Sequence, residues 1–198
     1  TLSSKSELNL PNLKLIDPRY IFFPHWSYII PKEIYEDYEC IVFHMTDLPF
    51  GRGGSPLQNL ISRGFKNTKL SAIRVGKGVD TGPVYLKKDL NLCGTAEEIF
   101  LRANSIIGEM IVDIVQNGLV PEPQVGEVVL FKRRKQEDGD LRELKSIEQI
   151  YDFIRMLDAD GYPKAFIENN SFTFEFSRAS LKADGTIIAD VRIYKKKK

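Results

Sequence analysis

An imidazole and a carboxylate, two groups able to move protons, stand out in this chain by their surroundings. His44 ends the short apolar run Cys40 to Met45, and Gly51-Arg52-Gly53-Gly54 and Ser55-Pro56 follow within a few residues. An imidazole at the carboxyl end of a strand, beside backbone with no side chains to hold a ligand away, is how an α/β sheet builds a site. The chain has only two histidines, the other being His25. Asp80 lies 36 residues after His44, in the turn Gly78-Val79-Asp80-Thr81-Gly82. A carboxylate beside an imidazole fixes its tautomer and stabilises its protonated form, the orienting role in acyl transfer. Alone, the same aspartate would serve as a turn residue bonding its own backbone.

Both residues need a scaffold, and the apolar pattern supplies one. Tyr20-Ile21-Phe22-Phe23 and Cys40 to Met45 read as buried strands, with a short helical turn, Lys32 to Tyr38, between them. Ser55 is the expected N-cap of a helix from Pro56 to Arg63 that stops at Gly64. Lys69 to Val75 and Val84 to Leu90 alternate like half-buried strands. Thr95-Ala96-Glu97-Glu98 is a capping box opening a long helix whose stripe runs Ile99, Ala103, Ile106, Ile107, Met110, Ile111, Ile114 and ends at Gly118.

Val120-Pro121-Glu122-Pro123-Gln124 reads as a stiff linker because it carries two prolines. Beyond it lie a strand (Glu127 to Phe131), a helix (Ser146 to Leu157) and strands Ala165 to Glu168, Phe172 to Leu181 and Thr186 to Tyr194. Asp184-Gly185 is a hairpin turn between the last two. The expected organisation is therefore α/β over 1–119, a linker over 120–125 and a small α+β subdomain with a basic tail over 126–198. The segment Thr1 to Asp17 is too short and polar for the strand and helix that open such a sheet, so one βα unit is expected to be missing from this chain, which starts on Thr1 rather than methionine.

Composition narrows the function classes. With 198 residues, 42% hydrophobic and 28% charged, the chain has an ordinary globular composition. Its formal net charge of +1 provides no global field for a nucleic acid or a membrane. No apolar run approaches the roughly 20 residues of a membrane span. Cys40 and Cys93 lack metal-ligand spacing and number too few for a disulfide framework. Both are expected to be reduced and structural, which with the absence of a signal peptide suits the cytoplasm. No metal site is expected.

The pattern His44-x-Thr46-x-Leu48-Pro49-x-x-Arg52-Gly53-x-x-Pro56, followed by Asp80-Thr81-Gly82, resembles the 10-formyltetrahydrofolate-dependent formyltransferases. Gly161-Tyr162-Pro163-Lys164-Ala165-Phe166 is similar to the accessory region of their tRNA and sugar members. The resemblance implies a Rossmann-like domain binding 10-formyltetrahydrofolate, with Leu48, Pro49, Arg52, Gly53, Gly54, Val79 and Asp80 along the folate channel. It implies that an amine attacks the formyl carbon, that His44 stabilises charge or relays a proton, and that Asp80 orients His44 and helps to remove the amine proton.

One position departs from that pattern. The family usually has asparagine two residues before the histidine, where its amide donates to the developing oxyanion; here Val42 stands there and has no donor. Losing one such donor costs about 2.7–4 kcal/mol. His25 is the expected substitute, with the adjacent Trp26 as the other candidate and as a substrate contact. The Lys132-Arg133-Arg134-Lys135 cluster suits a diphosphate, with Arg133 and Arg134 as forks and Arg52 facing the substrate as well. The near-zero charge favours a small amine acceptor, a nucleotide-linked amino sugar, with initiator methionyl-tRNA as the alternative. A folate-binding module without catalysis is the reading from another class. Phe172, Phe174 and Phe176 alternate so that one face needs covering, by the same chain or by a second copy in a homodimer.

Overall fold

A computed structural model describes residues 2, 4–26 and 28–196. In chain order its elements are α1 (Leu10–Ile16), β1 (Tyr20–Phe23), α2 (Lys32–Asp37), β2 (Glu39–His44), β3 (Phe50–Gly53), α3 (Pro56–Ile61), β4 (Asn67–Arg74) and β5 (Val84–Asn91). Then follow α4 (Ala96–Asn117), β6 (Val129–Phe131), α5 (Ile147–Met156), β7 (Ala165–Glu168), β8 (Phe172–Leu181) and β9 (Ile187–Lys195). The fold class is mixed α/β with a C-terminal α+β part, as the patterning implies.

The contacts group into two compact units that interleave along the chain. One comprises Thr1–Gly53, Lys69–Leu90 and Ala103–Leu130; the other comprises Gly54–Thr68, Asn91–Arg102 and Phe131–Lys198. This differs from a division at 120–125. The proline-rich stretch is not a free spacer, because Glu122 forms a β-bridge with Val84 through N–H···O contacts of 2.7 and 2.9 Å. Two prolines stiffen the segment, and backbone pairing fixes it to the strand opposite.

The first unit is built on a sheet of order β1-β2-β4-β5. β1 runs parallel to β2, with Phe23 opposite Val42, and β2 runs antiparallel to β4, with His44 opposite Ser71. Side chains alternate across β2. Ile41 and Phe43 join a core with Leu70, Ala72, Tyr85, Ile107, Met110 and Ile114, so the α4 stripe covers that face. Cys40 and Val42 join the opposite core, with Leu8, Leu13, Phe23, Ile30 and Ile34. The N-terminal segment therefore packs: Asn9 caps α1 by accepting from the Asn12 N–H, and Leu13 is buried.

The second unit holds the antiparallel sheet β7-β8-β9. Its hairpin closes as the Asp184-Gly185 signal predicts, with Asp184 Oδ1 accepting from both the Thr186 N–H and hydroxyl. Ser146 caps α5 by accepting from the Gln149 N–H. Within α5, Arg155 is 2% exposed; it pairs with Asp152 at 2.6 Å and donates to the carbonyls of Leu92 and Gly94. A guanidinium so deep is tolerable because its fork is met by a carboxylate and two carbonyls.

Ser55 departs from expectation. It sits at φ 51°, ψ 51° and makes no side-chain cap bond; its hydroxyl accepts from the Arg134 N–H at 3.0 Å. An N-cap needs extended backbone to aim its oxygen at the first turn, and left-handed backbone turns it away.

Candidate functional site

His44 closes β2 and is 7% exposed. Its Nε2 lies 2.8 Å from the Gly51 carbonyl, which also accepts from the Thr46 hydroxyl at 3.4 Å. A carbonyl only accepts, so Nε2 carries the hydrogen and the lone pair of the neutral ring is on Nδ1. Nδ1 faces Asp80, whose Oδ2 is 3.6 Å away. An imidazole and a carboxylate 36 residues apart in sequence thus lie side by side.

Asp80 reaches that position through unusual backbone. It lies at φ 52°, in the left-handed region that Asn and Asp visit more readily than other side-chain-bearing residues. Its Oδ2 accepts from the Gly53 N–H at 2.9 Å. Gly82, two residues on, is obligatory: a Cβ there would lie 1.7 Å from the Arg74 carbonyl oxygen. The turn thus lies flat on the end of β4, and this close approach sets where the carboxylate points.

The glycine-rich segment opens as a strand with hydrogen-bonded flanks. Phe50–Gly53 forms β3, and the preceding Pro49 carbonyl accepts from the Val129 N–H. Leu48 is fully buried, its peptide to Pro49 is cis, and its carbonyl accepts from Lys87. Leu48 therefore supports the segment with its side chain and offers a ligand none of it, whereas Val79 is 66% exposed in the Asp80 turn. Lys87 also pairs with Asp47, so this lysine ties the two residues before Pro49 to β5.

Arg52 leads to a residue the sequence reading missed. Its Nε and a terminal nitrogen donate to Gln124 Oε1 at 3.0 and 2.8 Å. Gln124 Nε2 in turn donates to the carbonyls of Asp80 and Gly82 at 2.9 and 2.7 Å. Nothing in the spacing of a glutamine in a proline-rich stretch marks it for this position; only the β-bridge at Glu122 brings it there.

Around Val42 the polar groups are arranged differently from expectation. Val42 packs on the apolar core that also takes Trp26. His25, expected as the substitute donor, stands at φ 54° beyond β1 with Nε2 2.8 Å from Asn104 Oδ1, so that nitrogen is directed at α4. Trp26 stacks edge-on with Phe23 at 5.6 Å, and its indole N–H is buried with no acceptor among the described residues.

Gly54, Arg133 and Arg134 belong together in the second unit. A Cβ on Gly54 would lie 2.5 Å from Arg133 Cβ, so this glycine serves backbone packing against Arg133. Arg133 is exposed, but Arg134 turns inward: it stacks over Phe153 at 5.1 Å and donates to the Asp138 carbonyl. Burial pushes the Arg134 guanidinium below its ordinary value, a poor setting for a diphosphate fork. Of the expected pair, only Arg133 is presented outward.

A family model described as methionyl-tRNA formyltransferase, C-terminal domain, matches residues 136–194. The chain is 28% identical over 159 residues to the methionyl-tRNA formyltransferase of Thermodesulfovibrio yellowstonii, covering 76% of this chain and 52% of that protein. It thus spans about half the length of that curated relative. Among solved structures, methionyl-tRNA formyltransferase from Clostridium thermocellum superposes with a TM-score of 0.95 at 57% identity, over 98% of this chain and 86% of that one. A 4-N formyltransferase from Francisella tularensis shares the fold, with a TM-score of 0.65 at 13% identity over 96% of this chain and 75% of that one.

Proposed function

Since this chain belongs to the methionyl-tRNA formyltransferase family, we propose that it transfers a formyl group from 10-formyltetrahydrofolate to the amine of methionyl-tRNA. The observation that carries the reaction class is the approach of His44 Nδ1 to Asp80 at the end of a buried strand. The acceptor weighed first on sequence, a nucleotide-linked amino sugar, gives way to methionyl-tRNA. The relatives at 28% and 57% identity bear that name, while the 13% likeness to a 4-N formyltransferase supports only the fold.

Transfer joins the acceptor nitrogen to the formyl carbon and breaks that carbon's bond to the folate nitrogen, while one proton leaves the amine and one arrives on the folate. The chain's own groups fit this chemistry. His44 offers Nδ1 as the proton acceptor, because Nε2 is held by Gly51. The imidazolium formed then lies beside the Asp80 carboxylate, which the Gly53 N–H keeps aimed. Burial strengthens that interaction by excluding water.

Val42 supplies no oxyanion donor, and neither candidate just beyond β1 is set to replace it. The Trp26 indole N–H is buried out of reach of a bound carbonyl oxygen, and His25 directs its Nε2 at Asn104.

The test mixes the full chain with 10-formyltetrahydrofolate and either charged initiator tRNA or an amino-sugar nucleotide, and follows tetrahydrofolate release. Turnover with the tRNA alone is expected; turnover only with the sugar would move the acceptor. Trp26 is the single tryptophan, so its fluorescence reads folate binding directly. Binding without turnover on any amine would leave a folate-binding module.

A further inference from the structure

We infer that Gln124 is a positioning residue that locks the Asp80 turn and Arg52 into one arrangement; the inference rests on the formyl-transfer reading for its kinetic consequence. The side-chain amide uses both ends. Its oxygen takes two guanidinium donors from Arg52, and its NH2 group gives two hydrogen bonds to the carbonyls of Asp80 and Gly82. All four bonds are part-buried and span 42 to 72 residues of chain. No other side chain among the hydrogen bonds of the described residues touches both Arg52 and this turn.

The chemistry requires an amide. A carboxylate would still accept from Arg52 but would set its oxygens against two carbonyl oxygens, and an apolar isostere would lose both sets of bonds. Asp80 holds left-handed backbone; the Gly82 approach fixes the turn and the Gly53 N–H fixes the carboxylate. Gln124 adds a further hold on the turn's carbonyls and couples the turn to the guanidinium on β3. Its own anchorage comes from the Glu122–Val84 bridge two residues earlier. The segment that reads as a linker therefore sets the geometry of the carboxylate that faces His44.

Gln124→Glu and Gln124→Met in the full chain test this, with Gln116→Met on the exposed side of α4 as control. A displaced reacting group costs on the order of 100-fold in rate. The expected result is a fall of that order in kcat with KM for folate changed by less than about threefold. Gln124→Glu is expected to lose as much as Gln124→Met, because it keeps the Arg52 contact but not the two donors. The second readout does not depend on activity. With two histidines in the chain, the ring signals of His44 are separable by NMR from those of His25, and they are expected to move in both variants while His25 stays put. Unchanged His44 signals together with wild-type kcat would overturn the inference. A loss matched by Gln116→Met, or a collapse of cooperative melting in both Gln124 variants, would reassign Gln124 to stability alone. If the wild type transfers no formyl group, the functional reading fails, and the NMR arm still decides the positioning.

Discussion

His44 and Asp80 face each other across 3.6 Å, and each is fixed from behind by backbone of the same short segment: Gly51 O holds the imidazole and Gly53 N–H holds the carboxylate. The β3 segment thus aligns both partners, and a change in its path would move them together.

Replacing Asp80 with asparagine isolates the charge. Asparagine tolerates the left-handed backbone and its oxygen can still accept from Gly53. Stability is expected to be near wild type and folate binding retained. Formyl transfer is expected to fall by about 100- to 10,000-fold, the range for losing a proton-handling group. Steady-state kinetics check this, and wild-type kcat would remove Asp80 from the mechanism.

Glycine positions separate into required and dispensable ones. Gly82→Ala brings a methyl group 1.7 Å from the Arg74 carbonyl, and backbone cannot yield as a side-chain tip does. A loss of about 1–3 kcal/mol or more is expected. Gly108, exposed in the interior of α4, has nothing within 4 Å of its added methyl. Gly108→Ala is expected to raise stability by about 0.8–1 kcal/mol. Urea denaturation of the two variants distinguishes them by the sign of the change.

The two arginines expected to act together are predicted to behave differently. Arg133→Ala, at an exposed position, is expected to weaken tRNA binding with little effect on melting. If it meets one phosphate, the slope of log affinity against log salt falls by about 0.7–0.9. Arg134→Ala removes a partly buried guanidinium from Phe153 and the Asp138 carbonyl, and a stability loss of about 1.5–3 kcal/mol is expected. A salt titration and a thermal melt on each variant decide the assignment.

Alkaline pH probes the core of the first unit. Burial raises the Cys40 thiol from 9.0 to about 12, and Arg74 offsets only part of this. Between those values the folded state holds a proton that the unfolded chain has released. The stabilisation is therefore fully present only below pH 9 and is lost as pH rises from there toward 12. Tyr85, raised by burial and then by its bond to Glu39, acts in the same direction. Denaturation midpoints across this range should fall less steeply in Cys40→Val. Exposed Cys93 should react with a thiol reagent in the native state while buried Cys40 does not.

Local order was legible in the sequence because short-range physics determines it. The strand ending on His44, the helical stripe of α4, the Thr95 box realised by the Thr95–Glu98 bonds and the Asp184-Gly185 turn each rest on residues within a few positions of one another. The His44 and Asp80 motifs also pointed to the family and to the pairing of the two residues. Tertiary structure decided the rest. It made the proline stretch a brace, by pairing Glu122 with Val84, and so delivered Gln124 to Asp80. It turned Arg134 inward onto Phe153 and Ser55 away from its helix. It directed His25 Nε2 at Asn104 and left the Trp26 N–H without an acceptor among the described residues. These outcomes depend on which backbone groups distant strands leave unpaired, and a one-dimensional pattern does not record that. The sequence therefore determined which groups could do the chemistry, and packing determined how they are held.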